Sequence, residues 1–230
     1  MSARFVFLFD VDNTLLDNDR ITADLREHLT REFGAACQGR YWAIFEQLRG
    51  ELGYADYLGA LQRYRDVVPQ DARILELSGF LLDYPFADRL YPLALDVLAR
   101  LRAFGPTVIL SDGDVIFQPR KVARSGIAAA VEGRVLIYVH KERELARVEE
   151  AYPAEHYVMV DDKVHILAAM KRAWGPRLTT VFPRQGHYAH DPALLAANPP
   201  ADVTIEHVGD LLAKDVERLM LAGGAAEKGG

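Results

Sequence analysis

Residues Arg4 to Leu16 read RFVFLFDVDNTLL. Phe5 to Phe9 is an unbroken apolar run of mostly β-forming side chains, short enough to be a strand buried on both faces. It stops at Asp10, and Asp12 follows two residues later. A buried strand ending in two carboxylates needs a positive partner, because an uncompensated buried charge neutralises rather than stay dry. A divalent cation with oxygen ligands meets that need. Alternatively, the two acids cap a following helix or face water.

Further strands follow the same pattern. Apolar runs at Thr107–Leu110, Arg134–Val139, Tyr157–Val160 and Leu178–Phe182 read as strands, with a short sixth at Val203–Ile205. Helical periodicity separates them at Leu93–Phe104, Gln118–Ser125, Glu142–Ala151, Val164–Trp174 and Val208–Leu221. Strands alternating with helices predict an α/β fold, an open parallel sheet covered on both faces. In such sheets ligands bind beyond the carboxyl ends of the strands, where strand order reverses. Those ends carry Asp10 and Asp12, then Ser111, then Lys141, then Asp161 and Asp162. Four strands thus deliver two acid pairs, a hydroxyl and an amine to one edge.

Between the first two strands the chain is helical. Thr22 reads as an N-cap, and Leu25, Leu29 and Phe33 form a stripe that Gly34 stops. Tyr41, Phe45 and Leu48 form a second stripe with Gly50 after it; Tyr54, Tyr57, Leu58, Leu61 and Tyr64 form a third. Ile74, Leu75, Leu77 and Leu81 form a fourth. Four amphipathic helices make a compact helical subdomain with an aromatic core.

Half of the 230 residues are apolar and 26% are charged, the composition of a globular chain with a sizeable core. A net charge of -6 gives no basic footprint for nucleic acid, and no segment approaches membrane-spanning length. Cys37 is the single cysteine, so no internal disulfide forms and a reducing, cytoplasmic location is expected. Cys37 has no mechanism-bearing partner nearby in sequence, and His187 and His190 have an H-x-x-H spacing without the helix or further ligands of a zinc site.

The ordered set of residues resembles the haloacid dehalogenase (HAD) superfamily, most of whose members are Mg²⁺-dependent phosphotransferases. DVDNTLL resembles its motif I (D-x-D-x-T), Ser111 motif II, Lys141 motif III, and Asp161-Asp162 the two-acid form of motif IV. The resemblance covers Arg4 to about Phe182. It implies a Rossmann-like HAD core (residues 1–16 and 89–222), a helical cap of the C1 type inserted at 17–88, and a disordered tail at 223–230. It further implies Asp10 as the nucleophile that forms an aspartyl-phosphate, and Asp12 as general acid and then base. Ser111, the backbone N–H groups of Asp112 and Gly113, and Lys141 would hold the phosphoryl oxygens. Asp10, Asp12 (through its backbone carbonyl), Asp161 and Asp162 would hold Mg²⁺. Lys121 competes with Lys141 for the motif III role. Two departures stand out: Glu142 follows Lys141 where many relatives have proline, and Ile166 occupies a position where many have a further acid.

The implied activity is hydrolysis of a small phosphorylated metabolite by a phosphoric monoester phosphatase. The alternatives are a phosphomutase and a non-catalytic ligand-binding module. A haloacid dehalogenase is disfavoured, because it has no alkoxide to protonate and so no need of Asp12. Arg40, Tyr41 and Trp42 in the cap, and Arg184 and His187 after the fifth strand, are candidate substrate contacts.

Overall fold

A computed structural model describes residues 2–68 and 73–222. Its centre is a six-stranded, wholly parallel sheet in the order β3-β2-β1-β4-β5-β6. The strands are β1 (Ala3–Phe9), β2 (Thr107–Asp112), β3 (Val135–Tyr138), β4 (Ala154–Val160), β5 (Leu178–Pro183) and β6 (Val203–Ile205). The chain runs outward from β1 through β2 to β3, then returns to the other side of β1 to begin β4. Strand order therefore reverses between β1 and β4, which pair from Ala3↔Ala154 to Phe9↔Val160.

The apolar runs are continuous because both faces are covered. Phe7, Phe9, Ile109, Val158 and Val160 point to one face and share a core with α5 (Ala94–Leu101) and α11 (Val216–Ala222). Val6, Leu8, Val108, Leu110 and Met159 point to the other, against α8 (Leu145–Ala151) and α9 (Val164–Trp174). Two short helices, α6 (Phe117–Arg124) and α7 (Ile127–Ala130), connect β2 to β3, and α10 (Pro192–Ala197) precedes β6.

Four helices lie between β1 and β2: α1 (Asn18–Phe33), α2 (Ala35–Leu52), α3 (Tyr57–Val67) and α4 (Ile74–Asp83). The expected stripes of the first three are buried at Leu25 and Leu29, at Tyr41, Phe45 and Leu48, and at Tyr57, Leu61 and Tyr64. Of the fourth, Leu77 and Leu81 are buried, and the side chains of Ile74 and Leu75 lie outside the described residues. The insert leaves and rejoins the sheet layer at one place. Leu16 bridges Leu90, Asp17 N–H donates to Arg89 O (2.8 Å), and Tyr91 N–H donates to Leu15 O (2.9 Å).

Several boundaries differ from expectation. Thr22 is not an N-cap; Asp17 caps α1 by accepting from Arg20 N (2.9 Å), and the Thr22 hydroxyl meets Tyr57 OH at 3.0 Å. Gly50 lies inside α2, which ends at Gly53 in the left-handed region (φ 79°). The closing helix expected from Val208 is broken: Val208–Ala213 is a 3₁₀ turn and α11 begins afresh at Val216. Arg100 accounts for the break, since its guanidinium donates to the carbonyls of Leu211, Leu212 and Lys214 and takes them from an α-helical ladder. The expected helix from Glu142 likewise starts late, after a 3₁₀ turn over Lys141–Arg143. The tail at 223–230 lies outside the described residues.

Candidate active site

Strand ends around the reversal point bring three carboxylates together. Asp10 follows β1, anchored by its N–H on Val160 O (3.0 Å), and Asp161 follows β4, anchored on Val181 O (3.2 Å). Beyond Asp10 the chain turns sharply on one carbonyl, Val11 O, which accepts from the N–H groups of Leu15 and Leu16 (3.0 Å each). Asn13 takes a positive φ of 59° in that turn, a conformation asparagine tolerates. The Thr14 hydroxyl accepts from Asp162 N (3.1 Å), which ties the first acid loop to the second.

Asp10, Asp161 and Asp162 are all buried, with carboxylate oxygens within 4.8 Å of one another. Lys141, fully buried, supplies the first counter-charge: its Nζ is 2.5 Å from Asp10 Oδ1 and 2.7 Å from Asp161 Oδ2. Burial opposes its charge, but Asp10, Asp161 and Asp112 outweigh that and raise its pKa above that of an ordinary lysine. Burial opposes the charge of Lys163 too, and Asp10, Asp162 and Asp161 outweigh it, yet the two ammonium groups leave carboxylate oxygens without hydrogen bonds. Asp10 Oδ2 and both oxygens of Asp162 are buried without a hydrogen-bond partner. Burial pushes Asp161 up to about 6 and Asp162 well above the usual carboxylate range. Unpartnered carboxylate oxygens converging on one point are the donor set of a hard divalent cation, so the residues fit Mg²⁺.

This has a consequence for stability. A carboxyl raised to about 6 in the fold binds its proton more tightly there than in the unfolded chain, where the value is ~3.9. Its contribution is therefore full below ~4 and lost as pH rises through about 6. A cation favours the ionised form and offsets that loss. The gain in melting temperature from Mg²⁺ over chelator is thus expected to grow as pH is raised from ~4 to ~7. A gain that stays flat or shrinks in that series would remove the cation from this cluster.

Ser111, at the end of β2, is buried, and its hydroxyl donates to Asp10 Oδ1 at 3.3 Å. Asp112 follows it and lines the cavity. Its Oδ1 accepts from Lys141 N (2.8 Å) and orders the lysine-bearing turn, and burial raises its pKa. Gly113 departs from its expected role: its N–H is donated to Tyr138 O (2.9 Å) and is not free for a phosphoryl oxygen. A Cβ at Gly113 would lie 2.6 Å from Gln118 Cβ, so the glycine serves the approach of α6.

The resemblance gives Asp12 a place at the cation only through its main-chain carbonyl. Its carboxylate stands outside the three-acid cluster, 2.6 Å from Lys121 Nζ and 3.4 Å from Gln118 Nε2. Lys121 and Lys141 are therefore not rivals for one role; each holds a different aspartate of motif I.

Gln118 and Gln185 are absent from the sequence reading. Gln118 Nε2 also donates to Ser111 Oγ (3.0 Å). Gln185 is buried and donates to the carbonyls of Asn13 (3.2 Å) and Thr14 (2.9 Å), bracing the acid turn from β5. Neither had a sequence signal, since a lone glutamine at a loop or helix start looks like any polar residue.

The site opens into a cavity of about 810 Å³ between the strand ends and the helical insert. Asp12, Lys121 and Lys163 line it from below, and Trp42, Arg49 and Tyr57 from the insert. Of the candidate substrate contacts, Trp42 and His187 line it; His187 Nδ1 is 2.6 Å from Asp19 Oδ1. Arg40 is exposed elsewhere, Tyr41 is buried with its hydroxyl on Tyr57 O, and Arg184 pairs with Glu206 at 3.4 Å. Cys37 is buried and free, and among the described residues no metal-ligand group includes His187 or His190.

The family model for haloacid dehalogenase-like hydrolases matches residues 6–173. A haloacid dehalogenase-like hydrolase from Burkholderia xenovorans is 68% identical, with 94% of this chain and 99% of that chain covered and a TM-score of 0.90. A haloacid dehalogenase-like family hydrolase from Xanthomonas campestris superposes with a TM-score of 0.64 at 18% identity over 98% of this chain and 95% of that one. The L-2-haloacid dehalogenase of Xanthobacter autotrophicus, with chloropropionic acid covalently bound, gives 0.58 at 18% identity over 92% and 97%. No curated protein sequence matches the chain. With its parallel sheet and buried aspartates at the reversal point, the chain belongs to the haloacid dehalogenase-like hydrolases.

Proposed function

We propose that the protein is an Mg²⁺-dependent phosphatase of small phosphorylated metabolites. The observation that carries this reading is the set of buried carboxylate oxygens, Asp10 Oδ2 and both of Asp162, that have no hydrogen-bond partner. Asp10, Asp161 and Asp162 would hold the cation, joined by the main-chain carbonyl of Asp12. When bound, Mg²⁺ supplies charge neutralisation to the phosphoryl group and orients it toward Asp10.

Asp10 attacks phosphorus while the bond to the leaving oxygen breaks, and the phosphoryl group is carried as an aspartyl-phosphate. Asp12, turned toward the cavity beside it, gives a proton to the departing oxygen. It then takes one from the water that attacks the aspartyl-phosphate and releases inorganic phosphate. Lys141 and Ser111 neutralise and hydrogen-bond the phosphoryl oxygens. The four-helix insert acts as the cap, lowering water content over the reacting atoms and selecting the substrate from above.

The deciding experiment measures phosphate release from a panel of phosphomonoesters with Mg²⁺ or with chelator, beside halide release from 2-chloropropionate. Phosphate release that chelator abolishes supports the reading. Halide release, or turnover indifferent to chelator, overturns it.

A further inference from the structure

Lys121 has no place in the steps above, yet it is almost fully buried (1% exposed) and 2.6 Å from Asp12 Oδ1. A second acceptor, Asn18 Oδ1, lies 3.1 Å from the same ammonium, and the Phe117 ring 5.2 Å away. Gln118, three residues earlier on the same face of α6, reaches the other oxygen of Asp12. A single helix thus grips both oxygens of one carboxylate that is itself partly open to the cavity. A buried lysine is costly where an apolar side chain would pack, and a buried ion pair is weak evidence of stabilisation by itself. Its second acceptor belongs to the first residue of α1, so the grip on Asp12 also depends on where the insert begins.

Resting on the phosphatase reading, we propose that Lys121 is a positioning residue for Asp12 that equips the enzyme for phosphate esters of aliphatic alcohols. An alkoxide is a poor leaving group and departs only as its oxygen receives a proton. Asp12 loses that proton as the P–O bond breaks and the bond from Asp10 to phosphorus forms. Lys121 stays protonated throughout, stabilises the carboxylate left behind, and keeps it aimed at the oxygen. The attacking water then returns a proton to Asp12. An activated ester such as p-nitrophenyl phosphate leaves as a stable phenolate and needs little of this help.

The test compares kcat/KM, which covers the steps up to departure of the alcohol, for glycerol phosphate and for p-nitrophenyl phosphate, in the Mg²⁺-loaded wild type and in Lys121→Met. General acid catalysis contributes about 10²- to 10⁴-fold. Lys121→Met is expected to lower kcat/KM for glycerol phosphate by about 10²-fold, and for the nitrophenyl ester by under about 10-fold. Lys121→Arg, which keeps a cation beside Asp12, is expected to recover part of the difference. Lys121→Gln carries the same comparison if Lys121→Met does not fold. Equal losses on the two esters would make Lys121 a structural residue and overturn the inference, while leaving the phosphatase reading intact. A wild type that releases phosphate from no phosphomonoester of the panel overturns that reading and the inference with it.

Discussion

Asp10→Asn is expected to abolish phosphate release, lowering kcat by at least about 10⁴-fold, the scale seen when a covalent nucleophile is removed. The amide matches the carboxylate in shape and can still accept from Ser111, which lies 3.3 Å from Oδ1. It cannot form a stable bond to phosphorus and return as a leaving group. Lys141 retains Asp161 at 2.7 Å, so the ammonium is not orphaned and the fold should persist. Circular dichroism on the variant separates lost chemistry from lost structure. The Mg²⁺-dependent gain in melting temperature should also shrink, because one of three clustered carboxylates is gone. Turnover close to wild type in a folded Asp10→Asn protein would end the nucleophile assignment.

Lys141→Met is expected to be the most damaging change to stability. Its ammonium is fully buried between Asp10 and Asp161, and removing it leaves two carboxylates facing each other and Asp162 in a dry site. Breaking a buried pair from one side costs about 3–5 kcal/mol. In a chain of this size each kcal/mol moves the melting temperature by about 2–4 °C. A drop on the order of 10 °C is therefore expected in chelator, with activity lost as well. The cluster would then depend more heavily on the cation, so Mg²⁺ should recover a larger part of the melting temperature in this variant than in wild type. A variant that melts like wild type in chelator would mean that Asp10 and Asp161 do not share this lysine.

The parallel sheet was legible in the sequence because its inner strands are buried on both faces and leave unbroken apolar runs, as Val6–Phe9 and Thr107–Leu110 do. Asp10, Ser111, Lys141, Asp161 and Asp162 were legible for a related reason: each follows such a run, and parallel strands release their ends on one side. Where the reading failed, the deciding partner lay far away in the chain. Nothing near Val208 announces that Arg100 will take the carbonyls of Leu211 and Lys214 and stop a helix there. Asp17 and Thr22 are both competent N-caps, and the choice falls to Asp17 because Asn13 and Asp19 exchange two hydrogen bonds (3.0 and 3.1 Å) that fix the first turn of α1. The pairing of Asp12 with Lys121 spans 109 positions, and a lysine within a helix carries no local mark of so distant a partner.

The joint at Leu16 and Leu90 bears on how such a protein can change over generations. Both chain crossings occur side by side, stitched by Asp17 to Arg89 and by Tyr91 to Leu15. Whatever is spliced between those two points, short loop or long helical array, the distance its ends must span is the same, and added length raises closure entropy only slowly. Selection can therefore rebuild the upper half of the cavity while the clustered aspartates at the strand ends stay where they are.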